Sequence, residues 1–146
     1  MTPDALLQFM RLEKYAVQAS VSDAGSPQAA VVGIAVTDAF EIVFDTLASS
    51  RKASNLRANP SVAFVIGGTR DGAERTVQYE GIADEPSGSE LDRVLAAYYA
   101  RFPDGPERRA WPGLIYVRVK PTWIRHSNFG ANPPEIVEFP PNTLAR

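Results

Sequence analysis

The start of the chain changes from a helical hydrophobic pattern to alternating ones. Thr2, Pro3 and Asp4 predict a helix start, since a threonine cap, an early proline and an acidic first turn suit a helix N-terminus. Alternating side chains predict a strand over residues 14–21, and apolar side chains at successive positions predict another over residues 28–37. Turn residues between them indicate that the two strands form a hairpin.

The stretch 28–37 is apolar on both of its alternating faces, which is typical of a strand covered on both sides. One face would pack against a core, and the other would need a ligand or a second subunit. Gly33 within the stretch would allow another group to approach the backbone closely. A plain central strand is the simpler interpretation of the same pattern.

Later elements follow from similar patterns. Ser87 and Glu90 resemble a capping box at the start of one helix, and another helix is expected over residues 50–58. About six or seven short-spaced strands and three helices predict a mainly β fold, an antiparallel barrel with peripheral helices, in one domain over residues 1–146. The strands of the second part of the chain are expected at residues 41–45, 61–66, 74–84, 114–120 and 122–127, and the proline-rich tail could hold one more short strand over residues 136–139.

Composition narrows the function classes. The 146 residues carry a net charge of −2, so no overall basic field would draw the protein to nucleic acid or to a membrane. We expect no membrane span and no signal peptide, and the absence of cysteine is compatible with a cytoplasmic location. The single histidine, His126, excludes a metal site built on several histidines, and no metal is expected.

The candidate chemistry lies where the predicted strand over 41–45 runs into the predicted helix over 50–58. Thr46, Ser50, Arg51 and Lys52 place hydroxyls and two adjacent cations beside the first amides of that helix. Helix N-termini attract anions, and arginine and lysine add donors suited to phosphate. This pattern indicates a phosphate cradle, although a solvated Arg-Lys pair after an ordinary serine cap would give the same residues.

Three segments, taken in order, carry a resemblance to a known family. They are Ser26-Pro27-Gln28-Ala29-Ala30-Val31-Val32-Gly33, then Phe44-Asp45-Thr46 with Ser50-Arg51-Lys52, Asn55-Leu56 and Asn59-Pro60, and then Val77-Gln78-Tyr79-Glu80-Gly81. Together they resemble the split-barrel flavin-binding family typified by pyridoxamine 5′-phosphate oxidase. The resemblance implies a split β-barrel, a homodimer with flavins at the subunit interface, and FMN as the cofactor.

The resemblance also implies which residues hold the flavin. Phosphate contacts would come from Thr46, Ser50, Arg51 and Lys52. The ring and ribityl chain would be lined or flanked by the remaining family positions, which are Val31, Val32, Gly33, Phe44, Asp45, Thr76 and Gln78.

This chain departs from the oxidase pattern at several positions. The oxidase has an arginine and a lysine where this chain has Ala30 and Ala35, and a glutamine where it has Thr76. Its Arg-x-His near the C-terminus has no clean match, because Arg125 and His126 are adjacent here. Oxidation of the vitamin itself is therefore not implied, and a deazaflavin or haem, which other split-barrel relatives use, stays an alternative to FMN.

Two functions of different class follow, since a third possibility, a structural dimeric barrel without a ligand, would leave the Ser-Arg-Lys cluster unexplained. The first is a flavin-dependent oxidoreductase of unassigned small-molecule substrate, in which the flavin carries the redox chemistry and the catalytic residues are unknown. The second is a protein that binds or senses flavin, deazaflavin or haem without turnover. Trp123, Arg125 and His126 could contact the ring or a substrate. A core or dimer-interface tryptophan and a structural histidine are the commoner cases, and a solvated arginine explains Arg125 equally well.

Overall fold

One antiparallel sheet forms the framework of this computed structural model, which describes residues 1–144. Within that range the chain forms eight strands, four α-helices and a short 3-10 helix over Pro141–Thr143. The helices are α1 (Pro3–Leu12), α2 (Arg51–Ala58), α3 (Gly88–Arg101) and α4 (Gly105–Arg108). The strands are β1 (Tyr15–Val21), β2 (Pro27–Gly33), β3 (Ala35–Val36), β4 (Ile42–Leu47), β5 (Ser61–Gly67), β6 (Arg75–Asp84), β7 (Leu114–Asn128) and β8 (Glu135–Phe139).

The sheet curls because two strands that are consecutive in sequence lie at its opposite ends. The strand order is β2-β1-β5-β6-β7-β4-β3, and β8 pairs with β7 outside this path. Only Ile34, which is 1% exposed, separates the end of β2 from the start of β3. The two ends of the sheet must therefore lie close together, which gives the predicted mainly β, split-barrel architecture with helices at its periphery.

The prediction of one continuous strand over residues 28–37 is therefore wrong. The segment consists of β2 and β3, and each is an outer strand in the sheet order rather than a plain central strand. In β2 the apolar residues Ala29, Ala30 and Val31 are exposed, so residues 1–144 do not cover both faces of the segment, whereas Ile34 to Val36 are buried. Gly33 meets a close neighbour, as expected, since a Cβ at that position would lie 2.8 Å from Cζ of Phe102.

Strand β7 corrects a second prediction. The two strands expected on either side of Pro121 are one strand, in which Pro121 pairs with Gly81 and Trp123 pairs with Glu80. Thr122 is the additional residue of this β-bulge, and bulges are positions where a sheet accepts proline. Gly81 fits because a Cβ there would clash with the Lys120 carbonyl oxygen.

The capping box predicted at the start of α3 is also wrong. Ser87 is the N-cap residue but makes no side-chain capping hydrogen bond. The Glu90 carboxylate instead accepts hydrogen bonds from Arg93 and Arg118. Arg118 is only 7% exposed, and a buried guanidinium needs carboxylate partners more than the helix needs its cap.

The other predicted helix and strand starts agree with the structure to within one or two residues. The Thr2 hydroxyl caps α1 by accepting from the Ala5 amide at 3.1 Å. No helix in residues 1–144 has both the length and the apolar character required to cross a bilayer.

Aromatic side chains fill the barrel, and one hydroxyl joins three of its elements. Tyr79 is fully buried, and its hydroxyl lies within hydrogen-bond distance of the carbonyl oxygens of Phe40 at 3.0 Å and Val119 at 2.9 Å. Phe40 has a φ of 61°, a left-handed conformation that is unfavourable for a bulky side chain. The Tyr79 hydroxyl therefore helps to hold a strained turn against the sheet.

We expect Tyr79→Phe to lower the free energy of unfolding by about 1–2 kcal/mol, because the two buried carbonyls lose the single hydroxyl donor that they share. Urea denaturation followed by circular dichroism would measure the change. Tyr15→Phe is the matched control, since Tyr15 is 58% exposed and should be nearly neutral. Equal stability of the two variants would contradict this role of the Tyr79 hydroxyl.

Candidate functional site

The start of α2 is built by two hydroxyls. Ser50 is the N-cap, and its Oγ accepts from the Ala53 amide at 3.2 Å. The Thr46 hydroxyl, at the end of β4, lies 3.0 Å from the Ser50 hydroxyl. These contacts fix the strand-to-helix junction that the sequence predicted, and they place the first amides of α2 next to the side chains of Arg51 and Lys52.

Two cations in this first turn face an unfavourable field. The first turn of α2 contains no acidic residue, and the N-terminal end of a helix dipole repels positive charge. Within residues 1–144, neither Arg51 nor Lys52 forms a salt bridge, whereas Arg57 on the same helix pairs with Glu85 at 2.9 Å. An anion bound at this position would offset the repulsion between the two cations and the positive end of the helix dipole.

A cleft of about 360 Å³ lies between the β1–β2 hairpin and the start of α2. We call it the α2 cleft. Asn55 organises its wall, because Nδ2 of Asn55 donates to the Ser20 hydroxyl at 3.0 Å and to Oε1 of Gln28 at 2.8 Å. Arg51 Nε donates to the same Gln28 oxygen at 3.1 Å. The cleft is lined by Gln18, Ser20, Pro27, Gln28, Ala29, Ala30, Arg51 and Lys52.

The donor set of the α2 cleft fits a phosphate group. Arg51 and Lys52 supply positive charge, and none of the lining residues carries a carboxylate. Gln18 is 1% exposed, and its Nε2 has no hydrogen-bond partner. A phosphate offers several acceptor oxygens and needs such donors around it. The phosphate end of FMN is therefore compatible with the residues present.

Strand β2 contributes three of the predicted site residues, and the side chains of its two valines point to opposite faces of the sheet. Val32 is buried, whereas Val31 is 68% exposed. Gly33 lies against the ring of Phe102. Strand β2 hydrogen-bonds only to β1 among the strands of residues 1–144, so its other backbone edge is available to a ligand or a second chain.

Two predicted residues have side chains engaged elsewhere. Phe44 is fully buried in the barrel, with its ring centroid 6.0 Å from that of Phe64. Asp45 points to the opposite side of β4, where Oδ2 accepts from Nε of Arg108 at 3.1 Å. The structure does not bring either side chain into the α2 cleft.

Thr76 and Gln78 lie apart from the α2 cleft. They alternate along β6 with Val77 and Tyr79, which point into the barrel. Gln78 is therefore on the outer face of the sheet, and β6 is separated from β2 by β1 and β5. A single chain does not bring these two residues together with Arg51.

The single histidine, His126, is buried and makes contacts with neighbouring side chains. His126 is 4% exposed, its Nε2 accepts from Nε of Arg75 at 3.2 Å, and its ring meets the edge of Phe9 at 5.1 Å between centroids. Burial, and then the positive charge of Arg75, lower the pKa of His126 below its ordinary value. Residues 1–144 contain no group of three or more acidic or histidine side chains placed to hold a metal ion.

Trp123 and Arg125 lie on the outer face with Gln78. In the sheet register, Gln78 pairs with Arg125 and Glu80 pairs with Trp123. The Arg125 guanidinium lies 5.5 Å from the Trp123 ring centroid, and its buried Nε has no hydrogen-bond partner.

Sequence reasoning did not assign Gln18, Ser20, Gln28 or Asn55 to the site, although Gln28 and Asn55 lie in the segments that carry the family resemblance. Gln18 and Ser20 share one alternating face of β1 with Ala16, and this more polar face is the buried one. The alternation of β1 was recognised, but alternation alone does not reveal which face a helix will cover.

Comparisons with known proteins support the family resemblance. A model of the pyridoxamine 5′-phosphate oxidase family matches residues 2–128. A pyridoxine/pyridoxamine 5′-phosphate oxidase of Cupriavidus metallidurans is 30% identical over 151 residues, covering 90% of this chain and 68% of that protein.

Two solved structures show the same fold at low sequence identity. A heme binding protein from Mycobacterium smegmatis has a TM-score of 0.84 and 14% identity, covering 99% of this chain and 60% of that one. A pyridoxamine 5′-phosphate oxidase-related, FMN binding protein from Nostoc punctiforme has a TM-score of 0.68 and 15% identity, covering 94% of this chain and 85% of that one.

The environment of His126 generates a pH prediction. In the unfolded chain its imidazole takes up a proton as the pH falls through about 6.5, whereas the folded protein resists protonation until lower pH. This contribution to stability is present above the unfolded pKa and is lost as the pH falls through the folded one. We expect His126→Gln to reduce the loss of unfolding free energy between about pH 7.5 and about pH 5.5.

Urea titrations of both proteins at the two pH values would measure this difference. His126 is the single histidine of the chain, so the substitution removes the imidazole contribution entirely. Identical losses in the two proteins would contradict the assignment.

Proposed function

Since this chain belongs to the pyridoxamine 5′-phosphate oxidase family, we propose that it binds FMN and acts as an oxidoreductase on a small-molecule substrate. The observation that carries the proposal is the pair Arg51 and Lys52 at the start of α2, without carboxylate partners in residues 1–144 and facing a cleft of polar donors. The same chemistry supports phosphate as the anchoring group. A cytoplasmic location stays a prediction.

In this proposal the phosphate of FMN lies at the N-terminal end of α2. Arg51 and Lys52 neutralise its charge, and the hydroxyls of Thr46 and Ser50 lie beside them. Gln28 holds the Arg51 guanidinium in place through Nε and leaves its terminal nitrogens available to the ligand. The helix dipole adds to the same attraction.

The ring of the flavin would lie along β2. The residues Val31, Val32 and Gly33 border the backbone edge of this strand that β1 does not use, and its amides and carbonyls could hydrogen-bond the polar edge of the ring. When bound, FMN supplies the capacity to accept and return a hydride. The residues of β2 would position the ring.

A second copy of the chain would complete the site. The outer face of β2, β1 and β5 exposes Val31, Tyr15 and Val65, which are 68%, 58% and 41% accessible. Contiguous exposed apolar side chains of this kind are typical of interfaces. Thr76 and Gln78 lie on the same outer face, so a partner packed there could bring its own copies of these residues to the flavin.

The environment of His126 supports FMN rather than haem as the cofactor. A heme binding protein shares this fold, but His126 is buried and its Nε2 already accepts a hydrogen bond from Arg75. The chain has no cysteine, and His126 is its single histidine. The imidazole and thiolate ligands that commonly hold haem iron are therefore not available near the α2 cleft.

We expect the wild-type protein to take up FMN, and the double substitution Arg51→Ala with Lys52→Ala to weaken that binding by about 100-fold, because two charge-assisted contacts are lost. Quenching of FMN fluorescence on titration would measure the affinity. Circular dichroism would check that the double variant keeps its fold.

Arg57→Ala is the matched control, because Arg57 lies on the same helix but pairs with Glu85. It should bind FMN like the wild type. Unchanged affinity in the double variant would overturn the phosphate assignment. Uptake of haem or a deazaflavin in place of FMN would replace the cofactor, and bound FMN that no nicotinamide cofactor reduces would favour a binding or sensing role.

We expect Val31→Lys with Val65→Lys to convert a homodimer into a monomer, since two charges would be buried at the proposed interface. Size-exclusion chromatography with light scattering would give the mass. Leu12→Lys is the control, because Leu12 is 70% exposed at the end of α1 and does not belong to the sheet. A wild-type monomer, or a double variant that stays dimeric, would contradict this interface.

A further inference from the structure

Gln18 is a buried amide whose presence the fold does not explain. It is 1% exposed, and Nε2 makes no hydrogen bond. Burial of an unpaired amide group lowers stability, and most buried polar atoms in proteins have a partner. In residues 1–144 the other buried side-chain atom of this kind is Nε of Arg125. An apolar residue of similar size would fill the Gln18 position without this penalty.

The position of Gln18 connects it with the α2 cleft. Its cross-strand neighbours are Ala30 on β2 and Phe64 on β5. Side chains of directly paired residues lie on the same face of a sheet, so the longer Gln18 side chain stands beside the small methyl group of Ala30. Both residues line the α2 cleft together with Arg51 and Lys52.

The polar groups around Gln18 are already paired with one another. Asn55 donates to Ser20 and to Gln28, and Arg51 donates to the same Gln28 oxygen. Gln18 takes no part in this network. Its amide is therefore a buried, unsatisfied donor in a cleft that contains two cations and no carboxylate.

We propose that Gln18 is a ligand-binding residue of the α2 cleft, and that its side-chain amide donates a hydrogen bond to an oxygen of the phosphoryl group held by Arg51 and Lys52. This inference rests on the proposed function and deepens it. It makes Gln18 a determinant of selectivity for a phosphate monoester over the same flavin without its phosphate.

Gln18→Leu tests the assignment, because leucine keeps most of the volume and removes the amide. We expect the ligand-free variant to melt at a higher temperature than the wild type, since a buried unpaired group is removed. We expect its affinity for FMN to fall about ten-fold or more, in line with the loss of a hydrogen bond to a charged group. Its affinity for riboflavin should stay unchanged.

Two further variants complete the experiment. Gln18→Glu keeps the shape but places a carboxylate beside the phosphate, so we expect a larger loss of FMN affinity than in Gln18→Leu. Gln8→Leu is the control, because Gln8 is an exposed glutamine on α1. It should change neither FMN affinity nor riboflavin affinity.

The possible outcomes separate this inference from the proposed function. Equal FMN affinity in Gln18→Leu and the wild type, or equal losses for FMN and riboflavin, would overturn the role of Gln18 and leave FMN binding intact. A wild type that ignores FMN but is stabilised by inorganic phosphate, with the effect lost in Gln18→Leu, would support the inference and overturn the FMN assignment. A wild type that responds to neither probe would overturn both.

Discussion

Closure of the sheet at Ile34 is the constraint on which the rest of the structure depends. One residue separates β2 from β3, yet these strands lie at opposite ends of the strand order. The curled sheet that results encloses the aromatic core. It also leaves β2 with a backbone edge that no strand of residues 1–144 uses. The same closure therefore creates both the hydrophobic interior and the free edge beside the candidate site.

The α2 cleft follows from a polar layer between the β1–β2 hairpin and α2. Asn55 joins that helix to both strands of the hairpin through Ser20 and Gln28. These groups satisfy one another and do not neutralise Arg51 and Lys52, which have no carboxylate partner in residues 1–144. Two features lower the stability of the free protein, namely positive charge at a helix N-terminus and the unpaired amide of Gln18. Features of this kind are expected at a binding site rather than at a purely structural junction.

The sequence predicted those parts of the fold and site that depend on local chemistry. Ser50 and the cations after it identified the start of α2, because capping and charge act over a single helical turn. Long-range contacts decided the rest. The capping box at Ser87 failed because buried Arg118 recruits Glu90 from across the fold. Gln18 was not predicted as a site residue, because the alternating pattern of β1 does not specify which face of the strand a helix covers.

The separation of the family's flavin-binding positions within one chain constrains the assembly. Arg51 lies at a cleft on one side of the hairpin, whereas Thr76 and Gln78 belong to the outer side of β6. If both groups contact one flavin, the second must come from another subunit. The exposed apolar side chains of β2, β1 and β5 lie on that same outer side. In the proposed dimer, one surface would therefore serve both association and cofactor binding, and linkage requires that each process then strengthen the other.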